Sequence, residues 1–84
     1  AAISHINEAY SVIGDSNLIG TSIKIIKNNF HDEDISIIGV VRGKSIYINP
    51  PDDFTIQMMD MILIFGKQNK MDEAVEILDN FNNQ

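Results

Sequence analysis

The best-placed cation in the sequence is Arg42. It ends the largely β-branched run Ile35-Ser36-Ile37-Ile38-Gly39-Val40-Val41 and stands beside Gly43, with few other cations nearby. An arginine offers a rigid fork of donors that matches a carboxylate or a phosphate. At a strand end it is either an exposed turn residue or surface ion pair, or it contacts an anion at the edge of a sheet. Ile37 and Pro50 are the expected apolar walls beside it. The densest set of metal-type ligands is His31-Asp32-Glu33-Asp34. Oxygen-rich clusters hold calcium, but this one lacks the glycine and the regular alternation of a calcium loop and reads as a solvated acidic loop. Asp52-Asp53 follows two prolines and reads as turn residues. His5 and His31, the only histidines, lie in separate segments with no cysteine, which disfavours a zinc site. Gly14 and Gly20 bracket a turn that leads into a helix, whose first N–H groups attract anions, yet they form neither a dinucleotide fingerprint nor a phosphate loop. No serine sits in a strand–turn–helix nucleophile setting. The chain does not read as an enzyme.

The elements that must position these residues follow from periodicity. Asp34 to Pro51 reads as a hairpin. A strand buried on both faces runs to Arg42, Arg42-Gly43-Lys44 makes the turn, and Ser45-Ile46-Tyr47-Ile48 alternates before Asn49-Pro50-Pro51 stops it. Glu8 to Ile13 alternates and suits a first strand after a loose lead-in over residues 1–7. Gly14-Asp15-Ser16-Asn17 is a turn cluster. Ile19, Ile23, Ile26 and Phe30 then recur at helical spacing, predicting a helix from about Ile19 to Asn29, capped by Ser16 or Asn17. Lys24 and Lys27 complement its dipole. Asp60 to Phe65 is a further buried strand, ended by Gly66. Asn69 is placed as the cap of a last helix whose apolar stripe is Met71, Ala74, Val75, Leu78 and Phe81. Asn82-Asn83-Gln84 is expected to fray. The order strand, helix, three strands, helix predicts a small α+β domain with its helices packed on a sheet.

Composition narrows the function further. The chain has 84 residues, a formal charge of −6 and no cysteine. That length predicts a single domain, and one so small leaves apolar surface uncovered, which favours self-association. The negative charge repels phosphate backbones, so direct nucleic-acid binding is not expected. No apolar run reaches the length of a membrane helix, and no secretory leader is legible. The expectation is a soluble cytoplasmic piece of a longer protein.

Taken together, Ser16-x-Leu18-Ile19-Gly20-x-Ser22-Ile23, Ile37-Ile38-Gly39-Val40-Val41-Arg42-Gly43, Pro50, and Asp60-Met61-Ile62-Leu63-Ile64-Phe65-Gly66 resemble the TrkA-C domain. This is the C-terminal domain of RCK proteins (regulators of the conductance of potassium). The resemblance runs from about Glu8 to Phe81, and its β-α-β-β-β-α order agrees with the order read above. It implies a non-catalytic regulatory module that acts at the inner face of the cell membrane, on a potassium or cation channel or transporter, without inserting into the membrane itself. It also implies a homodimer, and in several members cyclic di-AMP binds in the dimer cleft. Carried over position by position, the nucleotide contacts fall on Ile23 in the first helix, Asn29 near its end (or its neighbours Asn28 or Phe30, depending on a one-residue gap), Ser36 and Ile37 at the start of the central strand, Arg42 at its end and Pro50 after the hairpin. No catalytic or metal residues are implied. The competing expectations are an assembly module without a ligand, or a divalent-cation sensor using Asp32, Glu33, Asp34 or Asp52.

Overall fold

The structure, a computed structural model, describes residues 4–81. Four strands form one antiparallel sheet: β1 (His5–Ser11), β2 (Ile35–Arg42), β3 (Ser45–Ile48) and β4 (Met61–Lys67). The spatial order is β1-β4-β2-β3, so β2 and β4 are interior and β3 is an edge. Helices α1 (Ile23–Lys27) and α2 (Met71–Asp79) complete an α+β fold.

Cross-strand partners share a face, which sorts the sheet cleanly. One face carries Tyr10, Ile62, Val40 and Tyr47 in one row, then Glu8, Ile64 and Ile37, then Ile6, Gly66 and Ile35. Both helices cover this face. Ile23 and Ile26 of α1 and Met71, Ala74 and Leu78 of α2 join Ile35, Ile37, Val40, Ile62 and Ile64 in one buried core. Met71, Ala74 and Leu78 of the stripe expected for the last helix are buried, with Phe81 buried just beyond it, while Val75 is only half-buried. The hydroxyl of Tyr10 donates to Asp79 Oδ1 at 2.5 Å and ties β1 to the end of α2. Burial and the neighbouring carboxylate push that phenol up to about 12.

Four expectations need correction. The first strand starts earlier, because His5, Ile6 and Asn7 pair with Lys67, Gly66 and Phe65; residues 1–3 of the expected lead-in lie outside the described residues, as do 82–84 of the expected fraying tail. Val12 leaves the ladder to exchange backbone bonds with the turn before β4, to Asp60 at 2.8 Å and from Met59 at 2.7 Å.

The first helix is also shorter than its spacing suggests. Gly20 has φ of 85°, and residues 20–23 bond instead to the segment after the prolines. Gly20 N–H reaches Ile56 O at 2.8 Å, Ile56 N–H reaches Thr21 O at 2.9 Å and Ile23 N–H reaches Phe54 O at 2.8 Å. Those backbone bonds hold residues 20–22 out of the helix, and Ser22 becomes the cap by accepting from Ile25 N–H.

Gly66 lies within β4 rather than ending it. A Cβ there would run into the carbonyl of Asp34, and Met71 packs just above. The last helix is entered through a 3-10 turn over Gln68–Lys70 that absorbs Asn69, so its N-cap is Lys70, with no side-chain cap bond. Asp72 and Glu73 occupy the first turn as expected.

Candidate functional site

The two ends of β2 carry the polar chemistry, and they are built differently. At its C-terminal end Arg42 forms a fork with Asp60, Nε to Oδ1 and Nη2 to Oδ2, each at 2.8 Å. Nη2 also donates to Thr55 O at 2.9 Å. The guanidinium lies 4.7 Å from the Phe54 ring centre and 5.7 Å from that of Tyr47, and these two rings, rather than Ile37 and Pro50, are its walls. Asp60 is fully buried and takes a further bond from Gln57 N–H at 2.8 Å. Burial alone would push its carboxyl up, but the bonds from Arg42 and Gln57 outweigh that and hold it below the usual carboxylate range. Arg42 is thus the ion-pair partner of a buried acid.

The N-terminal end of β2 is open. β3 pairs only with residues 39–42, and Asn49 closes the hairpin by donating to Ile38 O at 2.8 Å. Residues 35–37 therefore have no strand on that side. A cavity of about 270 Å³ lies there, lined by Lys27, Phe30, Ile35, Ser36 and Ile37. A larger cleft of about 630 Å³ adjoins it through Phe30 and Ile35, and adds Asn29, His31, Asp32, Glu33, Asp34, Glu73 and Ile77. Helix α1 ends at this cleft, and Asn29 Nδ2 donates back to Ile25 O at 2.9 Å. The result is an apolar floor of Phe30 and Ile35, a hydroxyl from Ser36 and an ammonium from Lys27.

Of the residues singled out from the sequence, the structure brings Asn29, Ser36 and Ile37 to these adjoining cavities. Ile23 and Pro50 are buried and line neither one. Arg42 stands at the other end of the strand, six residues from Ser36 and so about 20 Å away at ~3.3 Å per residue. Phe30, an alternative to Asn29 in the position-by-position carry-over, lines both cavities, and Lys27, legible only as a dipole-complementing lysine, lines the smaller one. Their signal was their nearness to a helix end that precedes a strand.

The acidic loop is internally neutralised in part. Asp32 pairs with Lys70 and Asp34 with Lys67, each at 3.1 Å. The Asp34 backbone N–H, then Lys70, hold the Asp32 carboxyl low. No group of three or more metal-type side chains comes together among the described residues. His5 stacks on Phe65, ring centres 5.7 Å apart.

The TrkA-C domain profile matches residues 8–79. A solved structure of the potassium transport protein KtrA RCK C domain in complex with cyclic diadenosine monophosphate is similar to this chain at 22% identity. The two align with a TM-score of 0.64, over 86% of this chain and 81% of the other. At that identity the likeness concerns the fold. No curated protein sequence matches. No helix among the described residues is long and apolar enough to cross a membrane.

Proposed function

This chain belongs to the TrkA-C domain family, a family of regulatory domains, and we propose that it is the ligand-sensing part of a longer potassium or cation transport protein. In this reading it is cytoplasmic, works as a homodimer and binds cyclic di-AMP at the dimer interface, and ligand occupancy biases the attached channel or transporter. The observation that carries the proposal is the open end of β2. An adenine requires an apolar plane, which Phe30 and Ile35 supply, and a phosphate requires a cation or N–H groups, which Lys27 and the unpaired edge of β2 supply. A ligand with twofold symmetry on a twofold axis receives each contact twice.

In the proposed site Asn29, Ser36 and Ile37 meet the ligand, and Ile23 and Pro50 support the walls from within the core. Arg42 is the outlying member, committed first to Asp60. Calorimetric titration of the chain with cyclic di-AMP tests the reading. The expected result is one nucleotide per two chains, with affinity reduced at least tenfold by Ser36→Glu, which sets a negative charge against the phosphates. No heat and no thermal shift at millimolar nucleotide would remove the ligand from the proposal. The exposed Ile46 and Ile48 favour a second reading, an assembly module, which expects a stable dimer that no nucleotide shifts.

A further inference from the structure

Three of the four methionines fall within four positions, Met58, Met59 and Met61, and the chain has neither cysteine nor tryptophan. Its thioethers are therefore the groups that a hydroperoxide attacks most readily. Burial sorts them. Met58 is 57% exposed and Met59 is 72% exposed, Met61 is half-buried in β4, and Met71 is buried in the core.

The exposed pair is held out by its own backbone. Asp60 N–H donates to Gln57 O at 3.1 Å, which closes a turn with Met58 and Met59 at its two central positions. Met59 has φ of 75°, a left-handed conformation for which glycine or asparagine is the usual choice. A methionine persists there only where the surroundings fix it, and here they do. Met59 N–H donates to Val12 O at 2.7 Å, and Val12 N–H donates to Asp60 O at 2.8 Å. Gln57 N–H donates to the Asp60 carboxylate, which Arg42 clamps from the other side. The turn is braced on the same buried acid that Arg42 neutralises, and this bracing keeps both thioethers at the surface.

We propose that Met58 and Met59 are an oxidation site for hydroperoxides, converted to sulfoxides while the fold stays intact, and that the sulfoxide of Met59 makes the adjoining apolar groove polar. In the step with hydrogen peroxide, a sulfur lone pair attacks one peroxide oxygen and the O–O bond breaks. That oxygen stays on sulfur, and the other leaves with both hydrogens as water. The sulfur loses two electrons and the peroxide gains them. Sulfoxide reductases return the thioether, one enzyme for each sulfoxide epimer, so the change is reversible.

The groove gives the modification its consequence. Met59 and Met61 line a space of about 350 Å³ together with Ile13 and Val41. A sulfoxide puts a strong hydrogen-bond acceptor among those apolar walls, where burying it without a donor is unfavourable. The fold is spared because neither Met58 nor Met59 belongs to the core cluster, whereas Met71 does. Met71 is thus an internal reference, the same chemistry behind a closed wall. The site needs neither the nucleotide nor a second copy of the chain.

Peptide mass spectrometry of the folded 84-residue chain during exposure to hydrogen peroxide tests the site. Met58 and Met59 should each gain an oxygen roughly tenfold faster than Met71, a difference that vanishes in guanidinium chloride, where all the thioethers are open. The melting temperature of the chain oxidised at Met58 and Met59 should match that of the untreated chain. The neutral dye Nile red then probes the groove. Its fluorescence with the chain should fall about threefold after peroxide, and by as much without peroxide in Met59→Gln, which sets a neutral polar group in place of the sulfoxide. Met59→Leu should keep the signal after the same treatment. If Met71 in the folded chain oxidises as fast as Met58 and Met59, the site is overturned. If both are oxidised and the dye signal persists, or if Met59→Leu loses it as fully as the wild-type chain, the switching of the groove through Met59 is overturned.

Discussion

The two ends of β2 sit on one strand and differ in almost every physical respect. At the Arg42 end Nε and Nη2 meet internal acceptors on Asp60 and Thr55, the acid beneath is fully buried, and two aromatic rings close the sides. At the Ser36 end the partner strand is missing, the hydroxyl faces outward, and a lysine and a phenylalanine stand over open space. A polar group whose bonding is completed inside the chain supports the fold. A polar group left beside an apolar cavity is available to a ligand. By that criterion arginine type and strand-end position were insufficient signals, because both fit a clamp as well as an anion contact.

The sharpest way to break the comparison is Arg42→Ala. It strands the Asp60 carboxylate in the core, so about 3–5 kcal/mol of stability should be lost in chemical denaturation. A loss below about 1 kcal/mol would mean that the clamp is ornamental and Arg42 is free for other work.

Acid titration gives the next largest effect. The folded-state pKa of Asp60 is lowered, so the stability it contributes is full above the ordinary aspartate range near pH 3.9. That contribution is lost as pH falls through the lower folded value. Asp60→Asn should flatten this acid limb in melting curves. An unchanged limb would show that other carboxylates carry it.

The smallest effect is expected at the open end. Ser36→Ala removes a solvent-facing hydroxyl with no internal partner and should change stability by no more than about 0.5 kcal/mol. A loss like that of Arg42→Ala would erase the distinction between the two ends.

Much of the fold was legible. The β-branched run 35–41, the Gly43 turn and the apolar run in β4 are short-range signals, as is the 3.6-residue stripe of α2. Each appears where the sequence placed it. The element boundaries were less legible for reasons visible in particular residues. Ile19 continues the helical spacing of Ile23 and Ile26, yet the backbone bonds of residues 20–23 to 54–56 keep it out of the helix. Gly66 looks like a strand terminator, but it stays in β4 because Asp34 and Met71 crowd a position where only a missing Cβ fits. For the proposed site, the family resemblance named Asn29 (with Phe30 as an alternative), Ser36 and Ile37, which the fold brings to adjoining cavities, while Lys27 joined them only when α1 was seen to end beside β2.

The sequence by itself determined the local grammar: which segments are strands, that two helices bury one stripe each, and that an acidic chain is a poor partner for a phosphate backbone. These follow from side-chain type and period, which act between near neighbours. Only the tertiary structure decided that Arg42 belongs to Asp60, eighteen positions away, and that Ile46 and Ile48 point away from the core while Ile62 and Ile64 point into it. Apolar residues on the two faces of a sheet are identical in pattern. What separates them is which face the helices cover, and that is fixed by strand order and register.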